Sequence, residues 1–77
     1  MATGQNLIGP KLRFLREVEG LTQAEFAGRL QIAGWDISRE TLAKVESQIR
    51  CVTDQELVRF AEALKVEPTE LLRPMKF

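Results

Sequence analysis

The sequence predicts an all-α domain of five short helices. Two Thr-x-x-Glu capping boxes, at 22–25 and 53–56, each precede an apolar run with helical spacing. Pro10 and Pro68 suit the first turn of a helix, because the amide that proline lacks would have no partner there. No stretch alternates apolar and polar residues over a useful length, so the sequence predicts no strand.

The elements follow in order along the chain. Residues 1–8 are predicted to be a flexible N-terminal arm, residues 9–73 the folded domain, and residues 74–77 a C-terminal tail. The first helix begins at Gly9-Pro10 and ends at Gly20, which suits a left-handed cap. The second helix begins after Thr22, and Gly34 marks the break that follows it.

Ser38 is predicted to cap a third helix that runs from Arg39 to about Ser47. The fourth helix starts after Thr53, and the fifth has Pro68 at its first position. The predicted core combines apolar residues from the helices: Leu12, Leu15, Phe26, Ala27, Leu30, Leu42, Val45, Leu57, Phe60, Ala61, Leu64.

Length and composition exclude several classes of protein. A chain of 77 residues is one small domain, with little room for a deep substrate cavity beside its core. Cys51 is the only cysteine and there is no histidine, so the sequence predicts no metal, no cofactor and no catalytic nucleophile with its base. Residues 1–6 lack the basic and apolar runs typical of a signal peptide, and no apolar run reaches about 20 residues, so the sequence predicts a cytoplasmic protein with no membrane contact.

The second and third helices are capped close together, as in a helix-turn-helix motif. Several stretches then match a known family in its own order. The region from Leu12 to Leu72 resembles the Xre family of phage repressor and Cro proteins. The stretches that carry the resemblance are 15–16, 21–27 (Leu-Thr-Gln-Ala-Glu-Phe-Ala), 38–46 (Ser-Arg-Glu-Thr-Leu-Ala-Lys-Val-Glu), 56–57, 60–61, 63–64, Val66 and 71–72.

The resemblance implies that the third helix lies in the major groove of double-stranded DNA. It assigns Arg39, Glu40 and Lys44 to the groove-facing surface, with Thr41 at its side. Arg39 can bond guanine, Glu40 can accept from a cytosine amine, and Lys44 can donate to guanine or a phosphate. In an alternative interpretation, the adjacent charges of Arg39 and Glu40 neutralise each other in solvent.

The resemblance also implies contacts to the DNA backbone. Gln23 lies at the start of the second helix, where free amides and the positive helix end attract phosphate, and it would also brace the third helix. Ser47 and Arg50 match backbone-contact positions, although Arg50 has no acid immediately beside it and could simply be solvated. Finally, Arg16 and Glu46 are implied to form a buried structural ion pair, and each follows a core residue.

The chain departs from the family pattern in three ways. The run between Leu30 and Ser38 is longer than the usual turn, and includes Trp35, which we expect to pack that turn. Gln48 stands where the family favours glycine. Eleven Lys and Arg balance eleven Asp and Glu, so DNA affinity is expected to be modest, with cations concentrated in stretch 38–50.

These observations predict sequence-specific DNA binding, in a transcriptional repressor that acts as a homodimer on a two-fold operator. The expected dimer seam is the apolar C-terminal end: Leu71, Leu72, Met75 and Phe77. The alternative is a protein-interaction module of the same fold, antitoxin-like or an adaptor, because fold does not fix function. No sensor domain fits in the length, so no small-molecule ligand is predicted.

Overall fold

The computed structural model describes residues 4–73, and five helices and no strand lie within that range. Their bounds are α1 Gly9–Val18, α2 Gln23–Ile32, α3 Arg39–Glu46, α4 Asp54–Leu64 and α5 Pro68–Leu72. The predicted all-α, five-helix architecture is therefore confirmed. None of the described helices has the length and apolar character that crossing a bilayer requires.

The helix starts are formed by the predicted caps. Thr22 accepts from the Glu25 amide at 3.1 Å, and the Glu25 carboxylate accepts from the Thr22 amide at 2.8 Å. The same reciprocal pair forms at the start of α4, and Ser38 accepts from the Thr41 amide at the start of α3. Each cap satisfies backbone donors that have no partner within the helix.

The turn between α2 and α3, residues 33–38, is fixed at both of its ends. Gly34 has a positive φ of 104° and donates to the Gln31 carbonyl, while the Trp35 amide donates to Leu30. This pattern closes the helix with a Schellman motif. The Gln31 side chain donates to the Ile37 carbonyl at 2.7 Å, and Ile37 itself is buried. The longer turn is thus tied to the domain.

The core collects apolar side chains from all five helices around Phe60. The Phe60 ring centroid lies 6.2 Å from that of Phe26 and 4.9 Å from that of Trp35, so Trp35 packs the long turn against α4 as expected. Leu15 and Leu57, predicted in the core, are only partly buried at its edge. The buried core residues are Ile8, Leu12, Phe26, Ala27, Leu30, Ile37, Leu42, Val45, Phe60, Ala61, Leu64 and Leu71.

Residues 4–8, predicted to belong to a flexible arm, are bound to the domain. The Asn6 side chain donates to the Val45 carbonyl at 3.1 Å and to the Arg50 carbonyl at 2.8 Å. Its oxygen accepts from the amides of Ile8 and Gly9, and so satisfies two backbone donors at the start of α1. Residues 1–3 of the predicted arm and the predicted tail 74–77 lie outside the described residues.

Gln48 takes the left-handed conformation that glycine would take, with φ 65°. A non-glycine residue there costs about 1–2 kcal/mol. The neighbouring segment offsets part of this cost, because Gln48 Nε2 donates to the Asn6 carbonyl and the Gln48 carbonyl accepts from the Gln5 amide. Gly9 lets the start of α1 lie close to the end of α3, since a Cβ atom there would lie 2.5 Å from the Val45 carbonyl oxygen.

The expected dimer seam needs correction. Leu71 is only 1% exposed, because α5 packs it into the domain's own core, and it is not available to a second chain. Leu72, the next residue, is about half exposed. The other two members of the expected seam, Met75 and Phe77, lie outside the described residues.

Candidate nucleic-acid interface

Helix α3 has one buried side and one exposed side. Leu42, Val45 and Glu46 are buried, and α3 packs on both α1 and α2. The exposed side, here called the outward face, carries Arg39, Glu40, Lys44 and Ser47. Glu40, Lys44 and Ser47 are separated by four and three residues, about one turn each, and Arg39 directly precedes Glu40, so the four lie towards one side of α3. Four of the predicted DNA-binding residues therefore lie together.

Thr41, also predicted at this site, lies beside the outward face and is partly buried. Its hydroxyl oxygen lies 3.0 Å from the Ser38 hydroxyl oxygen, and its amide donates to that same Ser38 oxygen. The side chain of Thr41 is thus occupied at the helix cap. This local engagement is typical of hydroxyl residues near a helix start.

Arg16 and Glu46 form the buried ion pair that the resemblance implied. Arg16 Nε donates to Glu46 Oε2 at 2.7 Å, and a second guanidinium nitrogen donates to Oε1 at 3.1 Å. The Glu46 side chain is only 3% exposed, and Arg16 also donates to the Leu21 carbonyl. Hydrogen bonding to Glu46 raises the pKa of Arg16, so the guanidinium stays charged. The pair joins α1 to the end of α3.

Gln23 extends this pair into a chain of hydrogen bonds. Its Nε2 donates to Glu46 Oε1 at 3.0 Å. That bond turns the amide so that Oε1 faces Arg39, which donates to it across 3.4 Å. The chain Arg16, Glu46, Gln23 and Arg39 therefore crosses from α1 through α3 and α2 to the outward face. Gln23 is positioned as a brace between the start of α2 and both ends of α3.

The ion pair between Arg39 and Glu40 is weak. Their closest charged atoms are 3.8 Å apart, and both side chains are more than half exposed. Exposed pairs of this kind contribute about 0–1 kcal/mol, so an incoming hydrogen-bond partner can replace the contact. Within residues 4–73, Lys44 takes part in no ion pair, which leaves its ammonium group to solvent or a ligand.

Arg50, which has no acid immediately beside it in the sequence, has an acidic partner in the fold. Arg50 donates two hydrogen bonds to Glu56, at 3.0 and 3.1 Å, because the α4 capping box turns that carboxylate back towards the preceding loop. Hydrogen bonding to Arg50 lowers the pKa of Glu56 below its usual value. The pair therefore stabilises the fold above the ordinary Glu range, and this contribution is lost as the pH falls through the folded-state pKa.

A polar notch lies where α1, the start of α2 and the end of α3 meet. It has a volume of about 400 Å³ and is lined by Arg13, Arg16, Gln23, Glu46 and Ser47. Arg13 was missed in the sequence. The available signal was its spacing, since Arg13 lies three residues before Arg16 and so shares a side of α1 with it.

The fold agrees with comparisons to known proteins. A helix-turn-helix family model matches residues 12–71, which is most of the chain. The chain belongs to the Xre/Cro-like helix-turn-helix family. Members of this family are DNA-binding transcription regulators and not enzymes.

Two solved structures of helix-turn-helix regulators are similar to this family member. One is the restriction-modification controller protein C.AhdI from Aeromonas hydrophila, with 33% identity, a TM-score of 0.72, and coverage of 83% of this chain and 86% of that chain. The other is the clp gene regulator ClgR from C. glutamicum, with 25% identity, a TM-score of 0.74, and coverage of 84% and 78%. No curated protein matches the chain significantly.

Proposed function

We propose that this domain binds specific sequences of duplex DNA through α3 and represses transcription from the sites it occupies. The observation that carries the proposal is the outward face of α3, which presents Arg39, Glu40, Lys44 and Ser47 together while the opposite side is locked into the core. In helix-turn-helix proteins the second helix of the motif enters the major groove, and its first residues reach the base edges. The proposed location is the cytoplasm, where the DNA is accessible.

The proposed roles follow from side-chain chemistry. Arg39 bonds guanine through its two-pronged guanidinium, Glu40 accepts from cytosine, and Lys44 donates to guanine or phosphate. Gln23 and Ser47 contact the backbone, and Thr41 supports the helix start. Arg50 reaches a phosphate only by sharing its guanidinium with Glu56, because it already donates two hydrogen bonds to that carboxylate.

Arg39→Ala is expected to relax sequence preference at one position of each bound half-site. Loss of a bidentate base contact costs about 1–3 kcal/mol of discrimination. Ser47→Ala, at the other proposed backbone contact, should instead weaken binding to all sequences alike, because phosphate contacts carry no sequence information. The measurement is selection of bound duplexes from random DNA at low salt, followed by titration of the selected site and its single-base variants.

Arg59→Ala is the matched control, since Arg59 is an exposed arginine on α4 and its loss changes the net charge equally. It should leave the selected motif unchanged. An unchanged motif in the Arg39→Ala protein would show that Arg39 does not read a base. Failure of the wild-type protein to enrich any duplex would reject DNA binding itself.

The proposed assembly on DNA is a symmetric dimer. One recognition helix reads only a few base pairs, whereas two half-sites about one helical turn apart give a longer target. Leu72 is the exposed part of the expected seam, and it lines an apolar groove of about 350 Å³ together with Leu7 and Leu57. We expect an inverted repeat in the selected site and two protomers per duplex in sedimentation. One protomer on a site without symmetry would contradict the dimer.

A protein partner remains the second candidate, on the strength of exposed apolar side chains. Ile32 at the end of α2 is 91% exposed and Leu7 is 86% exposed, in a chain with no net positive charge. Isolated apolar side chains are common on protein surfaces, so this candidate ranks below DNA binding. Retention on DNA that decreases with salt favours the first candidate, and its absence favours the second.

A further inference from the structure

We propose that Arg13 on α1 binds a phosphate of duplex DNA, and that Glu17 holds the Arg13 guanidinium when DNA is absent. The inference deepens the proposed function and rests on it. It adds α1 to the surface that touches DNA, and it makes the Glu17 carboxylate compete with a DNA phosphate for Arg13.

The geometry of the polar notch supports a phosphate. Arg13 and Gln23 bring a guanidinium and an amide to it from α1 and α2, and Ser47, whose hydroxyl donates to the Ala43 carbonyl at 2.8 Å, lines it directly after α3. The remaining lining residues, Arg16 and Glu46, are paired with each other at 2.7 Å, and their charges balance. Arg13 is therefore the lining cation whose charge is not balanced by another lining residue.

Continuity with the outward face of α3 identifies the source of that phosphate. Ser47 belongs to both the notch and the outward face, and Gln23 links the notch to Arg39 through a hydrogen bond. A duplex against α3 would bring its sugar-phosphate backbone past both residues. Arg13 then lies beside the backbone, where a charge-assisted bond to a phosphate oxygen is about twice as strong as a neutral one.

The present partner of Arg13 is easily displaced. Arg13 Nε lies 3.2 Å from Glu17 Oε2, one turn along α1, and the two side chains are 64% and 54% exposed. Glu17 also lies 4.0 Å from Arg16. Exchange of Glu17 for a phosphate costs little, because the released carboxylate returns to water. While Glu17 remains in place, its charge offsets that of Arg13, and the notch presents no net charge.

Salt-dependent DNA titration tests the exchange with four variants. Arg13→Ala should lower the slope of log affinity against log salt by about 0.9 for each bound protomer, so that between 50 and 200 mM salt the complex loses about 3.5-fold less affinity than wild type per protomer on the DNA. Glu17→Gln should tighten binding by roughly 1.5- to 5-fold per bound protomer, the range for loss of one exposed ion pair. The matched controls are Arg59→Ala and Glu62→Gln, which change the same charges at exposed positions on α4.

The combined variant decides the mechanism. If Glu17 acts by holding Arg13, Glu17→Gln should give no tightening once Arg13→Ala is present, because the two effects are coupled. Equal effects of the notch variants and their α4 controls would overturn the proposal and leave only a general effect of net charge. Tightening by Glu17→Gln that persists in the Arg13→Ala background would also overturn the proposal.

Absence of any wild-type binding would reject the proposed function together with this inference. Wild-type binding with an unchanged slope in Arg13→Ala rejects this inference alone.

Discussion

Replacement of Glu46 by alanine is expected to lower the free energy of unfolding by about 3–5 kcal/mol. Its carboxylate accepts two hydrogen bonds from Arg16 and one from Gln23, so the substitution leaves a buried guanidinium without its counter-charge. Native domains are stable by only about 5–15 kcal/mol, and a domain of this size lies towards the lower end. The variant should therefore be largely unfolded at moderate temperature, as measured by urea or thermal unfolding.

Glu40→Ala provides the control for Glu46→Ala, because it removes the same charge from an exposed position of the same helix. Its stability should change by less than about 0.5 kcal/mol. Arg16→Ala should resemble Glu46→Ala, since it leaves the carboxylate unpaired. Small and equal shifts for all three variants would mean that Glu46 is hydrated, and its negative charge would then face the DNA.

Phe60→Ala is expected to destabilise the domain by about 3–5 kcal/mol, the usual cost of removing a buried aromatic ring. Phe60 is fully buried and packs against both Phe26 and Trp35. Its loss therefore opens a cavity and removes the support of the long turn before α3. Trp35 is the only tryptophan, so its fluorescence reports on that turn. We expect a red-shifted emission along with the lower unfolding midpoint.

Phe60→Leu separates the effect of the cavity from the effect of losing the aromatic ring. Leucine refills much of the volume, so the loss of stability should be smaller, while the ring that Trp35 packs against is still absent. Emission that shifts in both variants would show that the ring itself positions the turn. A Phe60→Ala protein with wild-type stability and wild-type emission would contradict the packing described here.

Local signals in the sequence predicted the helices well. The structure contains the predicted capping boxes at Thr22 and Thr53, the Ser38 cap and the left-handed glycines at 20 and 34. Each of these features depends only on residues nearby in the sequence. The family pattern added the long-range pairing of Arg16 with Glu46. Residue spacing alone places each of these two side chains beside an apolar stripe, but it does not say that they meet.

Other contacts made by the fold could not be predicted from the sequence. Asn6 binds the carbonyls of Val45 and Arg50, about forty residues away, and nothing near Asn6 in the sequence signals this. The Arg50–Glu56 pair was missed because Glu56 was assigned wholly to its capping box, although a carboxylate can accept from a backbone amide and a guanidinium together. Arg13 was overlooked because an exposed arginine on an amphipathic helix is ordinary until the fold places it beside Ser47.

Apart from the 3.4 Å hydrogen bond from Arg39 to Gln23, the two sides of α3 can change independently of each other. Leu42, Val45 and Glu46 hold the helix in the domain, and none of them lies on the outward face. Substitutions on that face alter exposed side chains whose contribution to folding is small. Under the proposed function, a duplicated copy of this chain could therefore acquire a new target sequence through a few codon changes at positions such as 39, 40 and 44. Such copies would share one scaffold and one folding mechanism while they recognise different operators.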